Sequence, residues 1–167
     1  MKTLLLAIIY FAFISLGLPD SLLGAAWPAM QIDLEAPLET AGMLFMTIAG
    51  GTIISSLVSG RMLKRFGTGR VTFVSVLMTA CALLGFHFAP SVFWLFVCAI
   101  PLGLGAGAVD AGLNDYVAVN YKAHHMSWLH SFWGVGATLG PIILAQFIAA
   151  ENSWRNGYFI ISVIQFT

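Results

Sequence analysis

Long apolar runs recur along this chain, separated by short polar stretches. Residues 4–30, 41–60, 71–88, 92–119 and 128–150 each supply about the 20 mostly apolar residues that a helix needs to cross a bilayer. A sixth run starts near Tyr158, and the ten residues from there to Thr167 are too few to cross. The runs are too long for strands, and they lack the alternation of a membrane barrel. The pattern predicts an all-α membrane protein with five complete spanning helices and the start of a sixth. Lys2 followed by Leu4 to Ile14 resembles a signal peptide, but the apolar character continues to Met30. That continuity predicts an uncleaved first spanning helix.

Within the runs, small residues recur every four positions: Gly17, Ser21 and Ala25; Gly51, Ser55 and Ser59; Gly103 and Gly107; Gly136 and Gly140. Such stripes let membrane helices approach closely, so a compact bundle is expected, with only the third run lacking a stripe.

Composition supports the same picture. Of 167 residues, 59% are hydrophobic and 8% charged, against about 25% charged in soluble domains. Seven basic and seven acidic residues cancel, which gives no footprint for nucleic acid. The charges are sorted between connections. Lys2, Arg61, Lys64, Arg65, Arg70 and Lys122 share one side, and Asp33, Glu35 and Glu39 share the other. The positive-inside rule predicts a cytoplasmic N-terminus in a cell membrane. Trp94, Trp128 and Trp154, near run ends, are expected at the interfaces. Cys81 and Cys98 lie inside apolar runs and read as lipid-facing or packing residues.

Three acids remain within the spans, where ionisable residues are costly and usually face the bundle interior. Asp20 follows Pro19, which removes a helix hydrogen bond and frees a carbonyl. With Gly17 and Gly24 nearby this segment can be locally broken, and broken helices near the midplane are where transporters often place sites. Asp20 then either serves such a site or caps the kink and pairs with a neighbouring helix. Positions 103, 107, 110 and 114 share one helix face, which groups two glycines with Asp110 and Asn114. Asp110 can accept a proton or bind a hydroxylated solute there, or make an interhelical hydrogen bond. Asp115 reads as a partner of Arg65 or Arg70. His130, one turn inside the fifth run, either lines a cavity or sits at the interface. His124 and His125 are adjacent with no Glu at a matching turn, so no metal site is expected. Gly103-x-Gly105-x-x-Ala108 lies inside a spanning run, not between a strand and a helix, and is not a dinucleotide fingerprint. No nucleophile–base or cofactor set is present, so an enzyme is not expected.

The stretch Gly60-Arg-Met-Leu-Lys64-Arg65-Phe-Gly67-Thr-Gly-Arg70 resembles the signature loop between helices two and three of the major facilitator superfamily. The position that is Asp in that signature holds Lys64, a departure from the family's acidic gate contact. Within the superfamily, three segments resemble the fucose permease branch of sugar–proton symporters: Pro19-Asp20-Ser-Leu-Leu, Gly103 to Asn114, and Leu129-His130-Ser-Phe-Trp133-Gly-Val-Gly136-Ala. The resemblance implies an alternating-access symporter of a small polar solute, a sugar, with protons. This chain would be its first half and would need a C-terminal half as partner. Asp20, Asp110, Asn114, His130 and Trp133 would then bind solute or proton. Gly60, Lys64, Arg65, Gly67 and Arg70 would form a conformational gate. Trp133 and His130 replace polar amides of the fucose carrier, and an indole there can stack on a sugar ring. The rival expectations are an exporter of hydrophobic compounds on the same fold and a non-transporting membrane sensor or scaffold.

Overall fold

A computed structural model describes residues 2–151 and 153–166. Among the described residues seven helices follow one another: α1 (Lys2–Asp20), α2 (Leu22–Asp33), α3 (Thr40–Phe66), α4 (Thr68–His87), α5 (Val92–Asn120), α6 (His124–Glu151) and α7 (Trp154–Phe166). The described residues contain no strand. Five stretches are long and apolar enough to cross a membrane, with α1 and α2 together forming the first, Leu4–Asp33. The protein is an all-α, multi-pass membrane bundle.

The observed helices run longer than the apolar runs. α3 continues six residues past Gly60, α6 starts at His124, and α7 starts at Trp154 instead of near Tyr158. In a helix every interior amide is already paired, so polar residues at an apolar run's edge extend it without loss. The expected loop from Gly60 to Arg70 is therefore mostly helix. Only Gly67 leaves helical geometry, at φ 82°, a left-handed conformation in which glycine carries no Cβ penalty. Its N–H donates to Leu63 O at 2.9 Å and closes α3, and α4 begins at the next residue.

Backbone contact at glycine holds the bundle together in two pairs. In the α1–α6 pair, a Cβ added at Gly17 would strike Trp133 O and Ala137 N; one at Gly136 would strike Ile14 O, and one at Gly140 would strike Leu18 O. In the α3–α5 pair, Gly103 meets Ile48 O, Gly107 meets Thr52 O, and Gly51 meets the backbone of Gly103 and Leu104. Hydroxyls add to the second pair: Thr52 Oγ1 donates to Gly103 O at 3.2 Å, and Ser55 Oγ donates to Leu104 O. Of the first stripe only Gly17 packs this way; Ser21 and Ala25 are exposed. α4 joins the bundle by the same kind of contact, with Gly105 of α5 lying against Ser75 O and the Thr79 side chain.

Two apolar cores result. One gathers Leu22, Met30, Leu83, Phe86, Leu95, Tyr158 and Ile161 from α2, α4, α5 and α7. The other gathers Ile9, Phe13, Val109, Leu113, Val117 and Leu129 from α1, α5 and α6. Leu57, Phe73, Phe93 and Phe11 point outward and are exposed, as suits a surface whose solvent is lipid. Cys98 is buried against Gly85 and Cys81 is exposed.

At the end opposite the basic connections, Arg155 pairs with Asp33 at 2.9 Å and donates to Ala89 O at 2.9 Å. Trp154 donates its indole N–H to the same Asp33 oxygen at 3.0 Å. Trp154 is 2% exposed, so it is a buried tie and not the interfacial belt residue its position suggested. Arg155–Asp33 is the one side-chain ion pair among the described residues, and the expected partnership of Asp115 with Arg65 or Arg70 is replaced by an exposed Asp115.

Candidate functional site

α1 stops at Asp20, Ser21 turns out of helix, and α2 resumes at Leu22. Pro19 lies in the last turn of α1 and lacks an N–H, so the break falls where the ladder is weakest. Asp20 is near the middle of the Leu4–Asp33 span. The break turns its carboxylate toward α6, where Trp133 Nε1–H donates to Asp20 Oδ2 at 2.6 Å. Gly17, one turn earlier, brings the two backbones close enough for this bond.

Asp20 and Trp133 border a cavity of about 640 Å³. Asp110 of α5 and His130 of α6 line it too, together with Thr52 of α3. Four of the five residues singled out for solute or proton are thus brought together from three helices. All four present exposed surface on this open side of the bundle, and the Trp133 ring is 40% exposed. His130 directs Nδ1 at Met126 O, 3.0 Å away. In the neutral ring, Nδ1 as the donor there leaves Nε2 as the acceptor nitrogen.

The fifth residue, Asn114, is not a wall of the cavity. Its Nδ2 donates to Asp110 Oδ1 at 2.9 Å, one helical turn along α5. Asp110 therefore makes an intrahelical bond in place of an interhelical one. The wall on α5 is Leu102, Ala106 and Asp110, rather than the 103–107–110–114 face. Gly103 and Gly107 are taken up by α3. Sequence reasoning missed Thr52 and the rest of the wall on α3, because nothing marks an apolar run as facing a cavity.

Apart from Ser21 and Tyr158, the remaining walls are apolar: Phe13, Leu16, Leu23, Phe45, Ile53 and Phe86 among them. Among the described residues, no Lys or Arg lines the cavity. The arrangement offers two carboxylates, an imidazole nitrogen and an indole face, set in an apolar surround. Such a surface suits a solute with hydroxyl groups on one side and C–H groups on another.

The residues expected to form a gate sit elsewhere, at the α3–α4 junction. Gly60, Lys64, Arg65 and Arg70 are exposed, and Arg65 lies over the Phe66 ring at 5.3 Å.

The family model of the Major Facilitator Superfamily matches residues 9–166. The chain is 23% identical over 159 residues to a glucose/mannose transporter of Bacillus subtilis, covering 94% of this chain and 39% of that protein. It is 26% identical over 148 residues to sodium-dependent glucose transporter 1 of Danio rerio, covering 87% of this chain and 25% of that protein. It is 24% identical over 157 residues to a cis,cis-muconate transport protein of Acinetobacter baylyi, covering 90% and 38%. The chain thus spans between a quarter and two-fifths of the length of these relatives.

Proposed function

This chain belongs to the Major Facilitator Superfamily, and from that premise we propose that it forms the first half of a proton-coupled symporter of a neutral polyhydroxy solute, a sugar. One observation carries the reading: Asp20, Asp110, His130 and Trp133 converge on one cavity near the middle of the spans. A cavity of about 640 Å³ is within the usual range for small-molecule sites. Its two carboxylates, with no Lys or Arg beside them, disfavour a dianion such as muconate. They favour hydroxyl donors. Relatives named for glucose point the same way.

In this reading Asp20 and Asp110 bind hydroxyls or the coupled proton, and His130 accepts a hydroxyl hydrogen. Trp133 offers a ring face to the sugar's C–H groups. Asn114 acts one step back, by holding Asp110. Transport proceeds by alternating access, with a second half closing the open side of the cavity. The α3–α4 junction takes the gating role, with Lys64 supplying a cation where the family has an acid. Charge sorting favours a cytoplasmic N-terminus in a cell membrane.

Asp110→Asn in the full-length protein is the test. It keeps size and removes the titratable group, so pH-driven accumulation of labelled D-glucose or D-mannose should be lost while solute exchange persists. Wild-type accumulation by the variant would remove Asp110 from the coupling role. The apolar walls also suit a cationic drug, and dye extrusion without sugar uptake would favour an exporter. Accumulation that follows a sodium gradient would replace the proton as the coupling ion.

A further inference from the structure

Pro19 leaves a gap in the helix ladder, because it has no N–H to give to Ser15 O, its partner four residues back. That carbonyl lies inside a membrane-spanning segment, where water cannot satisfy it. The structure fills the gap from the far end of the chain. Gln165 of α7 donates Nε2–H to Ser15 O at 2.8 Å. Gln165 is 8% exposed, and its other polar atom, Oε1, is buried with no hydrogen-bond partner among the described residues. The side chain thus serves here as a donor. One turn earlier on α7, Ser162 Oγ donates to Ala80 O of α4 at 2.8 Å. Since residues three apart share a helix face, the face that carries Gln165 is itself held against α4.

We propose that Gln165 is a positioning residue for the cavity: it stands in for the amide that Pro19 lacks and so fixes the break that aims Asp20 at Trp133. The break needs fixing from outside. Helix ends are set by their own ladder, and here the ladder lacks a rung in the turn that ends at Asp20. Gly17 anchors that turn on α6, and Gln165 anchors it on α7. With both anchors in place, Asp20 reaches Trp133 at 2.6 Å. Without Gln165, the last turn of α1 is free to tilt, and the Asp20–Trp133 bond loosens. The functional weight of this device rests on the reading that Asp20 belongs to the solute site.

A double-mutant cycle in the full-length protein tests it without a solute. Wild type, Gln165→Leu, Pro19→Ala and the double variant are each compared with a counterpart carrying Trp133→Phe. The difference spectrum then isolates the emission of Trp133. Gln165→Leu should move that emission to longer wavelength, as the indole exchanges Asp20 for water. In the Pro19→Ala background residue 19 can bond Ser15 O itself, and Gln165→Leu should move nothing. A Trp133 emission untouched by Gln165→Leu, or moved equally in both backgrounds, overturns the proposal. If Gln165→Leu alone fails to fold, Pro19→Ala must restore folding, and a double variant that is equally unfolded overturns it too. Uptake of labelled D-glucose by Asp20→Asn separates the two ideas. Wild-type uptake there removes Asp20 from the solute site, while the emission cycle still decides what Gln165 does.

Discussion

At the scale of the residue, the two carboxylates of the cavity differ in how they are held. Asp110 is bonded by its own helix, through Asn114, so its place follows from α5 alone. Asp20 is bonded by a different helix, through Trp133, so its place depends on how α1 and α6 pack. Substitutions should therefore act differently at the two sites. Asp20→Asn keeps an acceptor for the indole N–H and should unfold close to wild type. Asp20→Ala removes it. A hydrogen bond to a charged group contributes about 1.5–3 kcal/mol when enclosed. Both partners here face an open cavity, which brings the expected loss nearer about 1 kcal/mol. Thermal unfolding in detergent measures the difference, and equal losses from Asn and Ala would show that the bond carries no stability.

At the scale of the element, the glycine contacts outweigh the ion pair. At Gly103 any side chain meets the carbonyl of Ile48, which is backbone and cannot swing away. Overpacking a close contact costs about 1–3 kcal/mol, and more where nothing yields. Gly103→Val should separate α3 from α5 and lower the unfolding temperature sharply. Gly24→Ala is the control, since no atom lies within 4 Å of a Cβ added there. The Arg155–Asp33 pair has side chains 30% and 49% exposed. Exposed pairs contribute about 0.2–1 kcal/mol, so Asp33→Asn, which removes the charge and keeps an acceptor for the Trp154 indole, should cost far less than Gly103→Val in the same assay. The reverse ranking would mean that the ties at that end, and not the glycine seams, hold the bundle.

At the scale of the whole molecule, the proposed orientation rests on the charge distribution, and the cavity lies between the two ends of the bundle. Single cysteines at positions 64 and 35, in a background with Cys81 and Cys98 replaced, report which end is which. With the basic end inside, a membrane-impermeant thiol reagent should label position 35 but not 64 in intact cells. Labelling at 64 alone would invert the assignment. Position 64 is exposed near the end of α3 and position 35 is exposed in the connection between α2 and α3, so both lie away from the glycine seams and open to the reagent.

The sequence by itself determined the class of the protein and singled out four of the side chains that line the candidate site. Hydropathy forces helices because a lipid solvent leaves backbone groups no other partner. Asp20, Asp110 and His130 stood out because polar groups in such runs are costly. Pro19 announced a freed carbonyl. Only the tertiary structure decided which parts meet. The small-residue stripes say that helices approach closely but not which ones, and it took the fold to pair Gly17 with Gly136 and Gly103 with Ile48. Gln165, which donates to the Ser15 carbonyl that Pro19 leaves free, is 150 residues from Ser15, and the partner of Asp20 is 113 residues away. Such contacts depend on helix order and rotation in the bundle. Those are set by the sum of all the packing faces, and no local pattern along the chain contains that sum.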